Sequence, residues 1–297
     1  MLRPVPRGSI FIHATQFPSL SLFRWLDRRP DVKPVFFIHD LLPIRCPDFF
    51  TAGNAEWHRQ FMEVFVCYGR AAIVNTEVAK NDVVAFLRTR TSSDKQILAV
   101  PMPASPIFAR ATPPDAELRA RPYFVICGTI EPRKNHLLLL KIWQELLRSE
   151  GPKAPKLVII GRRGWNNQAA FDLLDRAPWV ASHIIEVAGL STNAMKHIVA
   201  NARALLMPSF AEGYGLPIVE AMAVGTPVIA SDIAVFRAIG GERVTYCNPN
   251  DTAPWLEAVR VHAGSGRQNL NVAMTENENR TAWENYFRNI TMFISSL

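Results

Sequence analysis

Tyr123-Phe124-Val125-Ile126-Cys127-Gly128-Thr129-Ile130-Glu131-Pro132-Arg133-Lys134-Asn135-His136 is the stretch from which the fold can be read. Five apolar or aromatic residues run without a polar break and stop at a glycine. A run without alternation is the pattern of a parallel strand buried on both faces. Gly128–Asn135 then reads as a loop and His136–Arg148 as a helix. The cycle repeats downstream. Leu157–Ile160 is a strand ending at Gly161, and Ile184–Val187 is a strand leading into Gly189-Leu190. Ser191 or Thr192 caps a helix reaching Ala200. Ala204–Met207 is a strand followed by a loop, Pro208–Leu216. Pro217 falls in the first turn of the next helix, where its missing N–H costs nothing. That helix ends at Gly225, and Val228–Ala230 is the strand beyond it. The alternation predicts an α/β chain with a parallel sheet and helices on both its faces.

Upstream the pattern is similar but shorter. Val35–Ile38 is a buried strand ending in His39-Asp40. Glu56–Arg70 carries Phe61, Val64, Phe65 and Tyr68 at helical spacing. Ala72–Val74 is a strand, Thr76 caps a helix through Leu87, and Ile97–Val100 is the last strand of this part. Six prolines between Pro101 and Pro122 follow, and such a stretch is expected to hold neither a helix nor a central strand. With 297 residues, two domains are the natural expectation. The boundaries expected are a first Rossmann-like domain over 1–108, a linker over 109–122, a second Rossmann-like domain over 123–280, and a helix over 281–297 packing back on the first. Ligands of doubly wound sheets bind outside the carboxyl ends of the strands, so two such domains are expected to face each other across a cleft.

Composition narrows the classes. At 48% hydrophobic and 20% charged residues the chain has an ordinary globular balance, neither disordered nor collagen-like. No apolar run approaches the roughly 20 residues that cross a bilayer. The opening residues, with three apolar positions before His13, do not make a signal peptide. The four cysteines (Cys46, Cys67, Cys127, Cys247) contain no C-x-x-C pair, so they read as reduced, buried structural thiols and suggest no metal. The formal charge of +7 lies mostly in the first third of the chain. No nucleic-acid motif accompanies it.

The loops at strand ends hold the residues with chemistry. In the octet Gly128–Asn135, Gly128 permits a close approach to the backbone, and Arg133 and Lys134 set two cations at a helix start. That suits a diphosphate; a solvated loop with two ordinary charges would look the same. In Pro208–Glu220, Glu212 stands in a glycine-rich loop and Glu220 one turn into the next helix. The N–H groups from Gly213 through Tyr214 and Gly215 to Leu216 can meet an anion. Paired carboxylates suit the vicinal hydroxyls of a sugar. Alternatively Glu212 is a solvated residue and Glu220 only complements the helix dipole.

The segment F-A-E-G-Y-G-L-P-I-V-E-A-M-A-V-G-T-P-V-I-A-S-D (Phe210–Asp232) resembles the E-x7-E signature of retaining, nucleotide-sugar-dependent glycosyltransferases of the GT-B type. That large family contains bacterial mannosyl-, glucosyl- and galactosyltransferases of surface polysaccharides. Y-F-V-I-C-G-T-I-E-P-R-K-N-H, L-V-I-I-G-R-R-G-W, V-A-G-L-S, I-H-D-L-L-P-I-R-C-P-D-F-F and T-A-W-E-N-Y agree with it in order and spacing, so the resemblance spans about residues 10–290. It implies two Rossmann-like domains and transfer of a hexose, with mannose a candidate, from a nucleotide-diphosphate sugar to a glycan or lipid-linked acceptor. It further implies that Glu212 contacts the donor sugar, Glu220 the ribose hydroxyls, and Arg133 and Lys134 the departing diphosphate, without metal or cofactor. The amides of Gly213, Tyr214, Gly215 and Leu216 serve phosphate and sugar, and His39 borders the sugar.

Two departures from the family pattern stand out. The first domain is expected to be incomplete, because the family's opening strand with its Gly-Gly loop has no counterpart. Ala238 also stands where the family has a glutamate that steadies the loop under the donor. These departures keep a rival reading open: a degenerate, non-catalytic relative that binds a nucleotide or a partner protein. A nucleotide-sugar epimerase is a third reading. The enzyme reading places the protein in the cytoplasm, with salt-releasable contact to anionic lipid on the inner face of the membrane.

Overall fold

In a computed structural model of the chain, residues 6–15, 23–91, 94–264 and 273–297 are described. Residues 1–5 and 16–22 of the opening segment lie outside them. The chain divides into two units, Met1–Met102 with Ala282–Leu297, and Pro103–Thr281.

Among the described residues the first unit holds four strands, β1 (Ile10–His13), β2 (Lys33–Phe37), β3 (Ala71–Val74) and β4 (Gln96–Ala99). All are parallel and lie side by side in chain order. β3 is buried at every position, which its unbroken Ala-Ala-Ile-Val run requires. One face packs Phe36 against Phe23, Phe61 and Phe65, with Val83 and Leu87 from the helix Glu77–Arg88. That helix starts on Thr76, whose hydroxyl accepts from the Ala79 N–H at 3.0 Å. On the other face Val35, Ala71 and Ile73 cluster with Tyr286, and Trp283, Ile290 and Phe293 of the helix Glu276–Ser295 pack around them. Each fully buried aromatic of this kind contributes about 1.5–3 kcal/mol. β1 was not expected from the sequence. It is one of the two outer strands of the described sheet, with Ile12 52% exposed.

The second unit holds six parallel strands: β5 (Tyr123–Cys127), β6 (Lys156–Ile160), β7 (Ile184–Val187), β8 (Leu205–Met207), β9 (Val228–Ser231) and β10 (Val244–Cys247). Their order in the sheet is β10-β9-β8-β5-β6-β7. β5 is buried throughout and central, as its apolar run demands. Hydrophobic clusters line both faces, one around Trp143 and Trp255 and the other around Val125, Met207 and Phe236. The order reverses between β5 and β8: the chain builds outward through β6 and β7, then crosses to the other side of β5 and builds outward again. The carboxyl ends of β5 and β8 therefore mark the switch point of the sheet, where ligands of doubly wound sheets bind.

Three expectations need correction. The proline-rich segment is not structureless, because Pro106–Ala109 and Ala116–Ala120 are short helices. Pro106 sits in a first turn, where proline is tolerated, and the Asp115 carboxylate caps the second helix by accepting from the N–H groups of Glu117 and Leu118. This segment is bound to the second unit: Asp115 meets His197 at 2.9 Å, and the Lys196 ammonium donates to the Arg110 carbonyl at 2.6 Å. β10 went unread because Val-Thr-Tyr-Cys is a short, mixed run at a sheet edge. Finally, Cys127 and Cys247 are buried, but Cys67 is exposed and Cys46 half-buried. No helix among the described residues is long and apolar enough to cross a membrane.

Candidate active site at the β5/β8 switch point

The loop after β5 is shaped by its own sequence. Gly128 has a φ of 139°, and a Cβ there would lie 3.2 Å from the Lys134 Cε. The close approach expected at Gly128 is thus made by the stem of Lys134. Pro132–Lys134 forms a single 3-10 turn. Asn135 follows with a φ of 56°, a left-handed conformation that asparagine tolerates better than most residues. Its amide donates to the carbonyls of Pro208 at 3.2 Å and Pro249 at 2.9 Å, fixing the loop to those after β8 and β10. The Phe210 N–H donates to the Arg133 carbonyl at 2.8 Å, so the loops after β5 and β8 are stitched along their backbones.

Glu212 is the centre of the site. Its side chain is only 7% exposed. Oε1 accepts from the Lys134 Nζ at 2.5 Å and from the Ser209 hydroxyl at 2.8 Å, and Oε2 accepts from an Arg133 Nη at 2.7 Å. The other Arg133 Nη lies 2.8 Å from an oxygen of Glu131, itself 3% exposed. Burial alone would raise the Glu212 carboxyl, but Lys134 and Arg133 hold it below the usual range. Burial raises the Glu131 carboxyl, with Arg133 and Lys134 opposing the shift. Two cations and two carboxylates are thus packed together where water is largely excluded.

Glu220 differs from both. It lies in the helix Leu216–Ala223, and burial without a compensating cation pushes its carboxyl up to about 7. Its charge reaches the Cys127 thiol, which burial pushes up to about 12 and so leaves unreactive. His136, the first residue of the helix His136–Glu150, is 1% exposed. Burial, with Lys134 next in effect, pushes its imidazole down to about 3, so it is neutral at physiological pH.

The structure joins Arg133, Lys134 and Glu212 in direct contact and sets Gly128 against Lys134. Glu212 is not the solvated residue that one reading allowed. Gly215, at a φ of 120°, precedes the helix Leu216–Ala223. A Cβ there would lie 3.0 Å from the Phe236 ring, so glycine is needed on both counts. Tyr214 is buried, Gly213 half-buried and Leu216 exposed. Ala238 is exposed on the helix Ala234–Gly240. Phe236 and Ile239 of that helix underlie Gly215, and the Tyr246 hydroxyl donates to the Phe236 carbonyl at 3.0 Å. Packing therefore supports the loop where Ala238 cannot. His39 belongs to the first unit, where it is exposed just beyond β2 with Phe37 beside it. Sequence reasoning gave no role to Glu131, Asn135, His136 or Ser209, although all lay within the quoted motifs. A carboxylate one residue from Pro-Arg-Lys was the available signal for Glu131.

Parallel strands that reverse at β5/β8 make the second unit a doubly wound, Rossmann-like sheet, with buried cations and a carboxylate at its switch point. Residues 121–262, within the second unit, match the family model described as glycosyl transferases group 1. The serotype-specific mannosyltransferase WbdA of Escherichia coli is 32% identical over 262 residues, covering 80% of this chain and 31% of WbdA. The chain thus spans about a third of the length of that relative. The O-antigen chain mannosyltransferase B of Escherichia coli is 23% identical over 240 residues, 77% of this chain and 60% of that one. Among solved structures, Anabaena Alr3699/HepE in complex with UDP and glucose superposes with a TM-score of 0.71 at 16% identity, covering 97% of this chain and 78% of that chain.

Proposed function

We propose that this chain is a retaining hexosyltransferase that moves mannose from a nucleotide-diphosphate sugar to a glycan or lipid-linked acceptor of a surface polysaccharide. The observation that carries the reading is the buried Arg133–Glu212–Lys134 cluster at the β5/β8 reversal. Mannosyltransferases among its relatives favour mannose as the sugar.

In this reading the donor diphosphate lies against Arg133 and Lys134 and the amides of Gly213–Leu216. Glu220 accepts hydrogen bonds from the ribose hydroxyls. Glu212 borders the hexose, and His39 keeps the sugar-side role that the sequence resemblance implies. The acceptor oxygen attacks the anomeric carbon on the face from which the diphosphate leaves. The bond from that carbon to the phosphate oxygen breaks, and the freed phosphate oxygen takes the acceptor's proton. Negative charge grows on the diphosphate as this happens. Fixed cations in a dry site stabilise that charge without reorganising, so no step is assigned to a metal. The protein works in the cytoplasm, with the basic first third of the chain resting on anionic lipid of the inner leaflet.

The test is transfer or slow hydrolysis of GDP-mannose, UDP-glucose and UDP-galactose, with product configuration read by proton NMR. Turnover of GDP-mannose with retained configuration is expected, and Glu220→Gln should raise the donor KM more than it lowers kcat. An inverted product would overturn the retaining mechanism. Nucleotide binding without turnover of any donor would favour a non-catalytic relative, and a change confined to the donor sugar's own stereochemistry would indicate an epimerase.

A further inference from the structure

The cations assigned to the diphosphate already have partners. Lys134 is bonded to Glu212, and Arg133 is shared between Glu212 and Glu131. Two positive groups face two negative ones, so the cluster is formally neutral before any donor arrives. A diphosphate diester adds two negative charges to it. Glu212 has Ser209 as a further donor, but Glu131 has no such reserve. One of its oxygens meets Arg133, and the other, Oε2, is buried with no hydrogen-bond partner among the described residues.

Glu131 is also closed in. Its side chain is 3% exposed. From the loop after β6, Gly164 lies over it, where a Cβ would stand 3.6 Å from the Glu131 Cβ. The charged groups acting on Glu131 are Arg133 and Lys134 of its own loop and Glu212 of the loop after β8. In the loop after β6, Arg163 is committed to Asp175 and Glu186. Its neighbour Arg162 gives its carbonyl to the Ile130 N–H. A buried carboxylate that loses its counter-ion either draws in water or becomes protonated. Here the cover formed by the loop after β6 favours the proton.

Resting on the donor-site reading above, we infer that Glu131 is the internal counter-ion of Arg133, released when a donor diphosphate takes the guanidinium, and that Glu131 binds a proton in exchange. Glu131 is then a positioning residue. It holds the Arg133 fork in place in the empty site, and once neutral it no longer repels the incoming phosphates. The proton comes from solvent and returns there when the nucleotide leaves.

Two linkages then act on donor affinity. Glu220 must be ionised to accept the ribose hydroxyls, and its carboxyl stands at about 7. Below that pH, as long as Glu131 is still ionised in the empty site, proton release by Glu220 and uptake by Glu131 offset each other, and affinity is nearly flat. Above it only uptake remains, and affinity falls by up to about tenfold per pH unit.

Calorimetric titration with GDP-mannose and UDP-glucose, without acceptor, reads this directly. Their diphosphate diesters carry no proton that titrates near neutrality. At about pH 8, paired runs in Tris and HEPES buffers, whose ionisation heats differ, should show net proton uptake by the wild-type protein. Glu131→Gln keeps an oxygen for Arg133 but carries no charge. It should abolish the uptake, and its affinity should rise up to about pH 7 and then level off. Binding by the wild type with no proton uptake overturns the inference and leaves the donor-site reading intact. Uptake undiminished in Glu131→Gln assigns the proton elsewhere and also overturns it. Failure of both nucleotide sugars to bind overturns the donor-site reading and this one with it. Should Glu131→Gln not fold, Glu131→Asp, whose shorter carboxylate retreats from Arg133, should alter the uptake, and wild-type binding above about pH 7 without uptake still overturns the inference, because Glu220 is already ionised there.

Discussion

The two units are built from the same cycle of parallel strand, loop and helix, yet among the described residues only the second carries a built cluster of buried charges. In the first, β1 to β4 lie in chain order, and among the described strands the order never reverses. In the second the order turns back between β5 and β8. Where consecutive crossovers go the same way, the loops at the carboxyl ends follow one another across the sheet edge. Where they go opposite ways, two neighbouring strands send their connections to opposite sides, and ligands of such sheets bind at that switch point. Polar chemistry has settled accordingly. Arg133, Lys134 and Glu212 are almost buried and bonded to one another, while His39 stands exposed beyond β2.

The largest effect expected is one of stability in the first unit. Phe36 is fully buried, with ring centroids 5.6 Å from Phe23 and 5.3 Å from Phe65. Phe36→Ala should destabilise that unit by about 3–5 kcal/mol, seen as an early transition in scanning calorimetry. Nucleotide affinity measured below that transition should stay at the wild-type value, which sharpens the separation of roles.

Next comes the site itself. Glu212→Ala should lower transfer by about 10²–10³-fold, the cost typical of removing one electrostatic contact aimed at developing charge, while GDP or UDP still binds. His39→Ala should lower turnover by less and leave GDP and UDP affinity unchanged. A loss of nucleotide binding in His39→Ala would break the comparison, because it would put binding chemistry on the sheet that does not reverse.

Smaller effects test local geometry. Gly128→Ala adds a Cβ against the Lys134 stem and forces a side chain onto a φ of 139°. About 1–3 kcal/mol of strain is expected, with a fall in transfer as Lys134 is displaced, both measurable on one purified variant. Smallest is the Arg45–Asp82 pair of the first unit, with Arg45 53% exposed. Arg45→Ala should change stability by no more than about 1 kcal/mol, read from urea denaturation. A larger loss would mean that the exposed pairs of the first unit matter as the buried ones of the second do.

Much of this was legible in the residues. Runs such as Phe124-Val125-Ile126 and Leu157-Val158-Ile159 have one low-energy fate, burial between helices, so strand, loop and helix follow from pattern alone. Glycine at 128 and 215 and asparagine at 135 mark backbone that few other residues would accept. Thr76 and Ser191 mark helix starts for an equally local reason: each hydroxyl accepts from an N–H three residues on. β1 and β10 went unread although β4 and β7, edge strands of the same length, did not: Ile10–Ile12 is only three apolar residues, and Val-Thr-Tyr-Cys mixes polar with apolar positions.

The sequence by itself determined the alternating fold, the loops that carry chemistry, and the pairing of Arg133 and Lys134 with a carboxylate-bearing loop eighty residues away as candidates for one site. Tertiary structure alone decided that these loops meet. The strand order places β8 beside β5, and no local interaction encodes that neighbourhood. It also decided the state of each carboxylate: Glu212 ionised between two cations, Glu131 buried against one, Glu220 pushed up to about 7 with none. All three are glutamates in loops or helix starts, and the sequence treats them alike. Their differences come from solvent exclusion and the position of counter-charges, and both exist only once the sheet has assembled.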